Sequence, residues 1–243
     1  MTKPGVKHIS YWDLIKDSIK YALSDWVAIL IFGVILLVLS TFENYVLVNF
    51  EYLFSKRLIV AIIIVISLSL LESGYSFKIL EESIHGSKKP PLFAKYKEMY
   101  VHGFKDVLVS IFYLGIIFLI IVFAYILDIM IPNGFFLITS IALLLSGVIL
   151  LFMLGAFLNL VYTGGEFKSA FDFKKIKKIL SEIGYFRLFV VYVFGLISEY
   201  LIVASILHIG IFAENSILSF LVNLLLTPFI VIFTERLFAL SSL

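Results

Sequence analysis

The residue of this sequence best suited to chemistry is a carboxylate inside an apolar stretch. Glu199 lies fourteen residues into Tyr185–Leu207, a run long enough to cross a bilayer, which takes about 20 mostly apolar residues. A carboxylate at that depth is costly, so it normally faces a protein interior or a wet cavity. Two interpretations follow: a proton or cation site, or a protonated side chain that hydrogen-bonds to a neighbouring helix and fixes packing.

Two polar residues of the last apolar stretch are the predicted partners of this carboxylate. Asn223 lies seven residues into Ser216–Phe233, at a depth similar to that of Glu199 if the two helices are antiparallel. Thr227 follows one turn later, next to Pro228, which has no N–H and frees a carbonyl of its helix. We therefore predict a candidate intramembrane site formed by Glu199, Asn223 and Thr227.

Three further polar residues near the ends of apolar stretches are weaker candidates. Glu72 is close to Lys78 in the sequence, and Glu235 precedes Arg236. We expect both carboxylates to form solvated ion pairs near the inner interface. We expect Asn159 to hydrogen-bond across helices.

Motifs of metal, nucleotide and hydrolytic sites are absent from the sequence. The four histidines are scattered without metal-ligand spacing, and no GxSxG motif or phosphate-binding glycine loop occurs. The absence of cysteine excludes disulfides, iron–sulfur clusters and thiol catalysis. We predict no catalytic residue, no cofactor, no metal and no enzymatic activity.

The composition indicates a protein that uses lipid as its solvent. Hydrophobic residues make up 62% of the chain and charged residues 15%, with a mean hydropathy of +1.10, whereas soluble domains are about 45–50% apolar and 25% charged. A net charge of +2 gives no argument for nucleic-acid binding. The bilayer is therefore the first expected partner.

Six apolar stretches predict an all-α membrane protein with six transmembrane helices. They are about Asp25–Phe42, Leu58–Lys78, Val107–Leu127, Phe135–Tyr162, Tyr185–Leu207 and Ser216–Phe233. We predict a single integral membrane domain over residues 1–243.

Amphipathic segments precede the first, third and fifth of these stretches. Ser10 begins the first, Pro91 the second and Asp172 the third, as N-caps or a first-turn proline. Apolar residues at helical spacing opposite charged residues are typical of helices in the interface plane. A simple extension of the first span is the alternative for the first segment.

The same order predicts three repeats of an amphipathic helix and a transmembrane hairpin, at 9–82, 91–166 and 168–243. An aromatic residue precedes a glycine of the following span by 21 or 22 positions each time: Trp12 and Gly33, Phe93 and Gly115, Phe173 and Gly195. Repeats of this kind are common in membrane bundles.

The distribution of basic residues predicts the orientation in the cell membrane. With six spans and a cytoplasmic N-terminus, seventeen of the nineteen Lys and Arg residues lie inside, and only Lys56 and Arg57 lie outside. The positive-inside rule then places both termini in the cytoplasm. A basic face of the third amphipathic segment is expected to contact anionic headgroups. It consists of Lys174, Lys175, Lys177 and Lys178.

Two stretches between the spans carry motifs of a known family. They are GYSFKILEESIHG (Gly74–Gly86), followed by PPLF (Pro90–Phe93), and SAFDFKKI (Ser169–Ile176). Here the chain resembles an uncharacterised prokaryotic membrane family, the domain-of-unknown-function family 4013, which is frequent in methanogenic archaea. The resemblance covers nearly the whole chain, implies a multispan membrane protein and supplies no activity.

Two hypotheses for function follow. The first is a non-enzymatic scaffold or partner-binding protein, whose assembly with a second copy or with another membrane protein is left open. The second is a small channel or transporter for protons, cations or a small solute that uses Glu199. The third and fourth spans have almost no polar residues, which favours the scaffold.

Overall fold

The structure of the chain is a computed structural model, and it describes residues 10–52, 55–131, 135–208 and 220–243, without the side chains of residues 199–208. All regular elements in these ranges are helical. The α-helices are α1 (Tyr11–Ala22), α2 (Trp26–Val48), α3 (Lys56–Ile84), α4 (Tyr96–Met130), α5 (Phe135–Tyr162), α6 (Phe173–Ile183), α7 (Tyr185–His208) and α8 (Thr227–Ser241). Short 3-10 turns cover Phe50–Tyr52 and Phe167–Phe171, and a π-helical turn, Val222–Leu226, leads into α8.

The predicted all-α class is confirmed, with five to six candidate spans. Helices α2, α3, α4 and α5, and the stretch Val222–Ser241, are long and apolar enough to cross a membrane. The sixth candidate is a broken one, in which α6 and Tyr185–Ser198 meet at a bend of 86°. The chain is therefore a multi-pass membrane protein by the length and composition of its helices.

Polar N-caps begin four of these helices; in α3 the hydroxyl oxygen of Ser55 accepts a hydrogen bond from the Leu58 N–H. Ser10 caps α1, Asp25 caps α2 and Asp172 caps α6, and each side-chain oxygen accepts a hydrogen bond from a backbone N–H of the first turn. A cap of this type stabilises a helix by about 1 kcal/mol. The predicted helix starts at Ser10 and Asp172 are confirmed.

Helix α4 differs from the separate amphipathic helix predicted before the third span. It begins at Tyr96, five residues after Pro91, and continues to Met130, so the start expected at Pro91 is wrong. Residues 23–25 separate α1 from α2, and Gly184, with a φ of 95°, separates α6 from α7. Nothing comparable interrupts α4, and the second segment and its span therefore fold as one helix.

The chain divides into two compact units. The first consists of Met1–Phe104 and Val190–Leu243, and in it α1, α2, α3 and α8 surround one apolar core. Its most buried members include Leu14, Phe32, Tyr75, Ile79, Met99 and Ile232.

Close backbone contact joins α3 to the first turns of α4 within this unit. A Cβ atom on Gly74 would overlap the carbonyl oxygen of Met99, and one on Gly103 would overlap that of Leu70. Small residues at membrane helix contacts let backbones approach and gain dispersion energy. These two glycines therefore set the spacing of the two helices.

The second unit is Lys105–Phe189, in which the amphipathic helix α6 packs on the end of α5. Ile176 and Leu180 of α6 are fully buried, and both contact Gly155 of α5 closely enough that a Cβ there would need them to move. The apolar face of α6 is thus used inside the protein.

The three glycines that carry the predicted repeat have different surroundings. A Cβ on Gly33 would overlap the carbonyl oxygen of Leu224, one on Gly195 would contact the Thr234 side chain at 3.6 Å, and one on Gly115 would meet nothing within 4 Å. The sequence spacing of the three glycines is regular, but their packing against neighbouring helices differs. The repeat stays a prediction.

Candidate functional site

The structure describes the side chains of Asn223 and Thr227 at the predicted intramembrane site, but not that of Glu199. Position 199 lies within α7, but the side chain of Glu199 lies outside the described residues, as does its predicted contact with Asn223. Upstream, α7 contacts α8 through Gly195 and Thr234, and through the rings of Phe194 and Phe233, whose centroids are 6.3 Å apart. The pairing of Glu199 and Asn223 stays a prediction.

Asn223 and Thr227 lie on or beside the π-helical turn Val222–Leu226, which sequence reasoning did not predict. The Thr227 N–H donates to the carbonyl of Val222, and the Thr227 hydroxyl donates to the same oxygen at 3.4 Å. Pro228 follows and cannot donate, so its neighbours cannot keep the regular α-helical ladder. The proline is the sequence signal that could have indicated this turn.

Gly33 of α2 packs against this π-helical turn. Because glycine has no side chain, the backbone of α2 comes close to the Leu224 carbonyl, which is four residues before Pro228 and is the one that the proline leaves without its α-helical donor. The turn is therefore held by a neighbouring helix.

Arg236 is the centre of a buried polar cluster that sequence reasoning missed. We call this cluster the node, and it consists of Arg236, Asp17, Tyr21 and the carbonyls of Ser83 and Ser87. Its side chain is only 7% exposed, and its Nε and Nη2 atoms each lie 2.9 Å from Oδ2 of Asp17 on α1. Nη1 donates to the carbonyl oxygens of Ser83, at 3.3 Å, and Ser87, at 3.0 Å, and the guanidinium lies 4.5 Å from the ring centroid of Tyr21. One side chain of α8 thus ties together α1, the end of α3 and the following connector.

The connector after α3 is also anchored by aromatic residues. The Tyr75 hydroxyl donates to the carbonyl oxygen of Pro91 at 3.1 Å, and its ring stacks on Phe93 with centroids 3.8 Å apart. Phe32 of α2 contacts the same tyrosine, at 4.8 Å. Pro91, predicted to begin a helix, and Phe93 instead lie in an irregular segment held against the bundle.

In the second unit, side chains of α4 and α5 anchor the connector before α6. The Asn159 amide donates to the Ser169 carbonyl at 2.7 Å, the Tyr113 hydroxyl to that of Ala170 at 2.9 Å, and Lys105 to that of Gly165 at 2.7 Å. In the first of these bonds Asn159 contacts the 3-10 turn of the connector, and the bond expected from Asn159 across helices stays a prediction.

The two weaker carboxylates, Glu72 and Glu235, are half-buried. The basic residues near them have other ion-pair partners, since Arg236 binds Asp17. Lys78 lies 3.3 Å from Glu81 and 3.4 Å from Glu98. These contacts join the end of α3 to the start of α4.

The lysines predicted to contact anionic headgroups, Lys174, Lys175, Lys177 and Lys178, are all exposed on the face of α6 opposite its buried residues. Lys175 pairs weakly with Asp172 at 3.6 Å and Lys178 with Glu182 at 3.9 Å. Such exposed pairs contribute little to stability, so the charges stay available to a membrane surface.

No group of three or more His, Asp or Glu residues within the described ranges is arranged to hold a metal ion. No curated protein and no solved structure matches the chain. The model of one family, described as "Protein of unknown function (DUF4013)", matches residues 57–213, from the start of α3 to beyond the end of α7. With most of its length matched, the chain belongs to this DUF4013 family of proteins of unknown function.

Proposed function

We propose that the chain is a non-enzymatic scaffold or partner-binding protein of the cell membrane. The observation that supports this most is where polar side chains are buried. The fully buried polar residues of the described ranges lie in α1, in a connector or near the C-terminal end of a span: Ser18, Ser83, Asn159, Ser169, Arg236, Ser241 and Ser242. A solute path needs polar groups at successive depths, whereas the core of the first unit is apolar.

The polar contacts at these ends hold connectors and amphipathic helices in place. Arg236 fixes α1 and the connector after α3, and Asn159 and Tyr113 fix the connector before α6. Ordered segments of this kind offer a pre-organised surface, which lowers the entropic cost of binding a partner. The partner is a second copy or another membrane protein.

The amphipathic helix α6 supports membrane-surface contact as part of this role. Ile176 and Leu180 of its apolar face are already buried in the protein, and its four lysines are exposed. Each lysine near an anionic surface is worth about 1 kcal/mol. With the N-terminus cytoplasmic, α6 lies at the inner leaflet.

A small channel or transporter for protons, cations or a small solute is the second candidate. The observation that favours it is the π-helical turn, which places Asn223 in an irregular part of a span. π-Helical turns occur frequently at functional sites. Glu199, Asn223 and Thr227 would then line the site.

Flux measurements in liposomes distinguish the two candidates. Purified wild-type protein and Glu199→Gln are reconstituted, and proton, sodium and potassium flux is followed with dyes. The scaffold proposal expects no flux above that of empty liposomes from either protein, with equal folding by circular dichroism. Flux that the wild type shows and Glu199→Gln lacks would contradict the scaffold proposal.

A further inference from the structure

An apolar cavity that is widely open to the outside lies between the C-terminal part of α2 and the N-terminal part of α3, away from every polar contact described above. Its volume is about 480 Å³, within the range of about 300–1,000 Å³ typical of ligand pockets. Phe42 and Tyr45 line it from α2, and Val60 and Ala61 line it from α3. A hydrocarbon chain fits such walls, because they offer dispersion contacts and demand no hydrogen bonds.

Two cationic side chains complete the lining of this cavity. Lys56 and Arg57, the first residues of α3, are exposed, and neither forms an ion pair with any described residue. They are also the two basic residues that the sequence separates from the other seventeen. Two exposed cations that have no ion-pair partner in the described part of the chain, beside an apolar cavity, complement a molecule with a negative head and a hydrocarbon tail.

We propose that this cavity binds an anionic phospholipid of the surrounding bilayer, with its phosphate between Lys56 and Arg57 and one acyl chain along Phe42 and Val60. The arginine fork suits a phosphate in bidentate geometry, and the lysine adds a second charge-assisted hydrogen bond. A free anion would leave the apolar walls unfilled, and a neutral lipid would leave both cations unpaired. The bilayer supplies both parts of the ligand in one molecule.

The test measures how strongly the purified protein retains lipid. Protein in a neutral detergent is titrated with phosphatidylglycerol or phosphatidylcholine, and bound lipid is counted by native mass spectrometry. We expect the double variant Lys56→Gln/Arg57→Gln to bind phosphatidylglycerol about 30-fold more weakly than the wild type, from about 1 kcal/mol per charge. The matched control, Lys88→Gln/Lys89→Gln, removes an exposed adjacent pair outside the cavity and should bind like the wild type.

A second pair of variants tests the apolar part of the site. Val60→Trp fills the cavity and should weaken phosphatidylglycerol binding by about 10-fold or more, whereas Ile63→Trp, an exposed position of α3 outside the lining, should not. Both positions are exposed, so neither change disturbs the core. Circular dichroism and size-exclusion chromatography confirm folding of each variant.

Three outcomes would overturn the assignment. The first is equal retention of phosphatidylcholine and phosphatidylglycerol by the wild type. The second is equal weakening by the two charge-removal pairs. The third is displacement of the lipid by millimolar inorganic phosphate together with no effect of Val60→Trp, which would indicate a simple anion site.

Discussion

Arg236 shows how a single side chain can organise the end of a membrane bundle. It is the buried cation of the node and has four acceptor contacts, two of them to Oδ2 of Asp17 and two to backbone carbonyls. Arginine suits this position because its planar guanidinium directs several donors from one site. The node therefore couples α1 to α3 and α8, which are far apart in the sequence.

Loss of this arginine should destabilise the protein. Removing one partner of a buried pair costs about 3–5 kcal/mol, but Asp17 is 50% exposed and can regain water, so for Arg236→Leu we expect a loss of about 2 kcal/mol in unfolding free energy. Asp17→Asn should cost about 1 kcal/mol. Thermal unfolding in detergent measures both, with exposed Lys88→Leu as the control. Equal midpoints for Arg236→Leu and the control would contradict the node's role.

Tyr21, beneath this guanidinium, should make stability depend on alkaline pH. Burial raises its pKa to about 12. Below about pH 10 the phenol is protonated in both states; between about pH 10 and 12 only the unfolded state releases the proton, so stability falls as pH rises.

Denaturant titrations across this pH range should show a shallower loss of stability in Tyr21→Phe than in the wild type. Tyr11→Phe, at an exposed position of the same helix, should keep the wild-type slope. An identical slope in all three proteins would show that Tyr21 ionises freely in the fold.

Glycine residues determine where the backbones of neighbouring helices come into close contact. The crossing of α3 and α4 depends on Gly74 and Gly103, whose missing side chains admit the partner backbone. Gly115, later in α4, has open space around it. Sequence spacing alone does not separate these two kinds of glycine.

Alanine substitution should distinguish the closely packed glycines, Gly74 and Gly103, from Gly115, which has open space around it. Gly74→Ala and Gly103→Ala must push backbone away from backbone and should each cost about 1–3 kcal/mol. Gly115→Ala should be neutral or stabilising by about 0.5–1 kcal/mol, since alanine favours helix. Thermal unfolding of the three variants in one detergent gives the comparison. Destabilisation by Gly115→Ala equal to that by Gly103→Ala would contradict the crossing.

The whole molecule depends on lipid as its solvent. In the most apolar 18-residue stretch of α4 only 11% is buried, and in that of α5 only 28% is buried. Most of both helices therefore presents apolar side chains outward. Exposed apolar surface on this scale is not stable in water. A bilayer removes the free-energy cost of exposing this apolar surface to water, without further protein contacts.

Orientation is testable because the chain contains no cysteine. The single-cysteine variants Lys88→Cys and Lys175→Cys should react with a membrane-impermeant maleimide only in inside-out vesicles, and Lys56→Cys only in intact cells, because the predicted topology places most basic residues in the cytoplasm and Lys56 outside. All three positions are exposed, so burial cannot mask the label. Labelling of Lys88→Cys in intact cells would reverse the predicted topology.

The sequence by itself determined the all-α class, the approximate spans and the caps at Ser10 and Asp172, because hydropathy and capping are local properties. It also placed Asn223 and Thr227 beside the proline at which the helix becomes irregular. It did not reveal that Arg236 meets Asp17, since a contact between residues 219 positions apart carries no local signal.

Tertiary structure alone decided which acceptors the polar side chains bind. The Asn159 amide donates to a connector carbonyl because the fold places Ser169 within reach. Helix α4 includes its amphipathic start because Gly74 and Gly103 allow close packing on α3. Local propensity leaves such choices nearly equal in energy, and packing is large enough to decide between them.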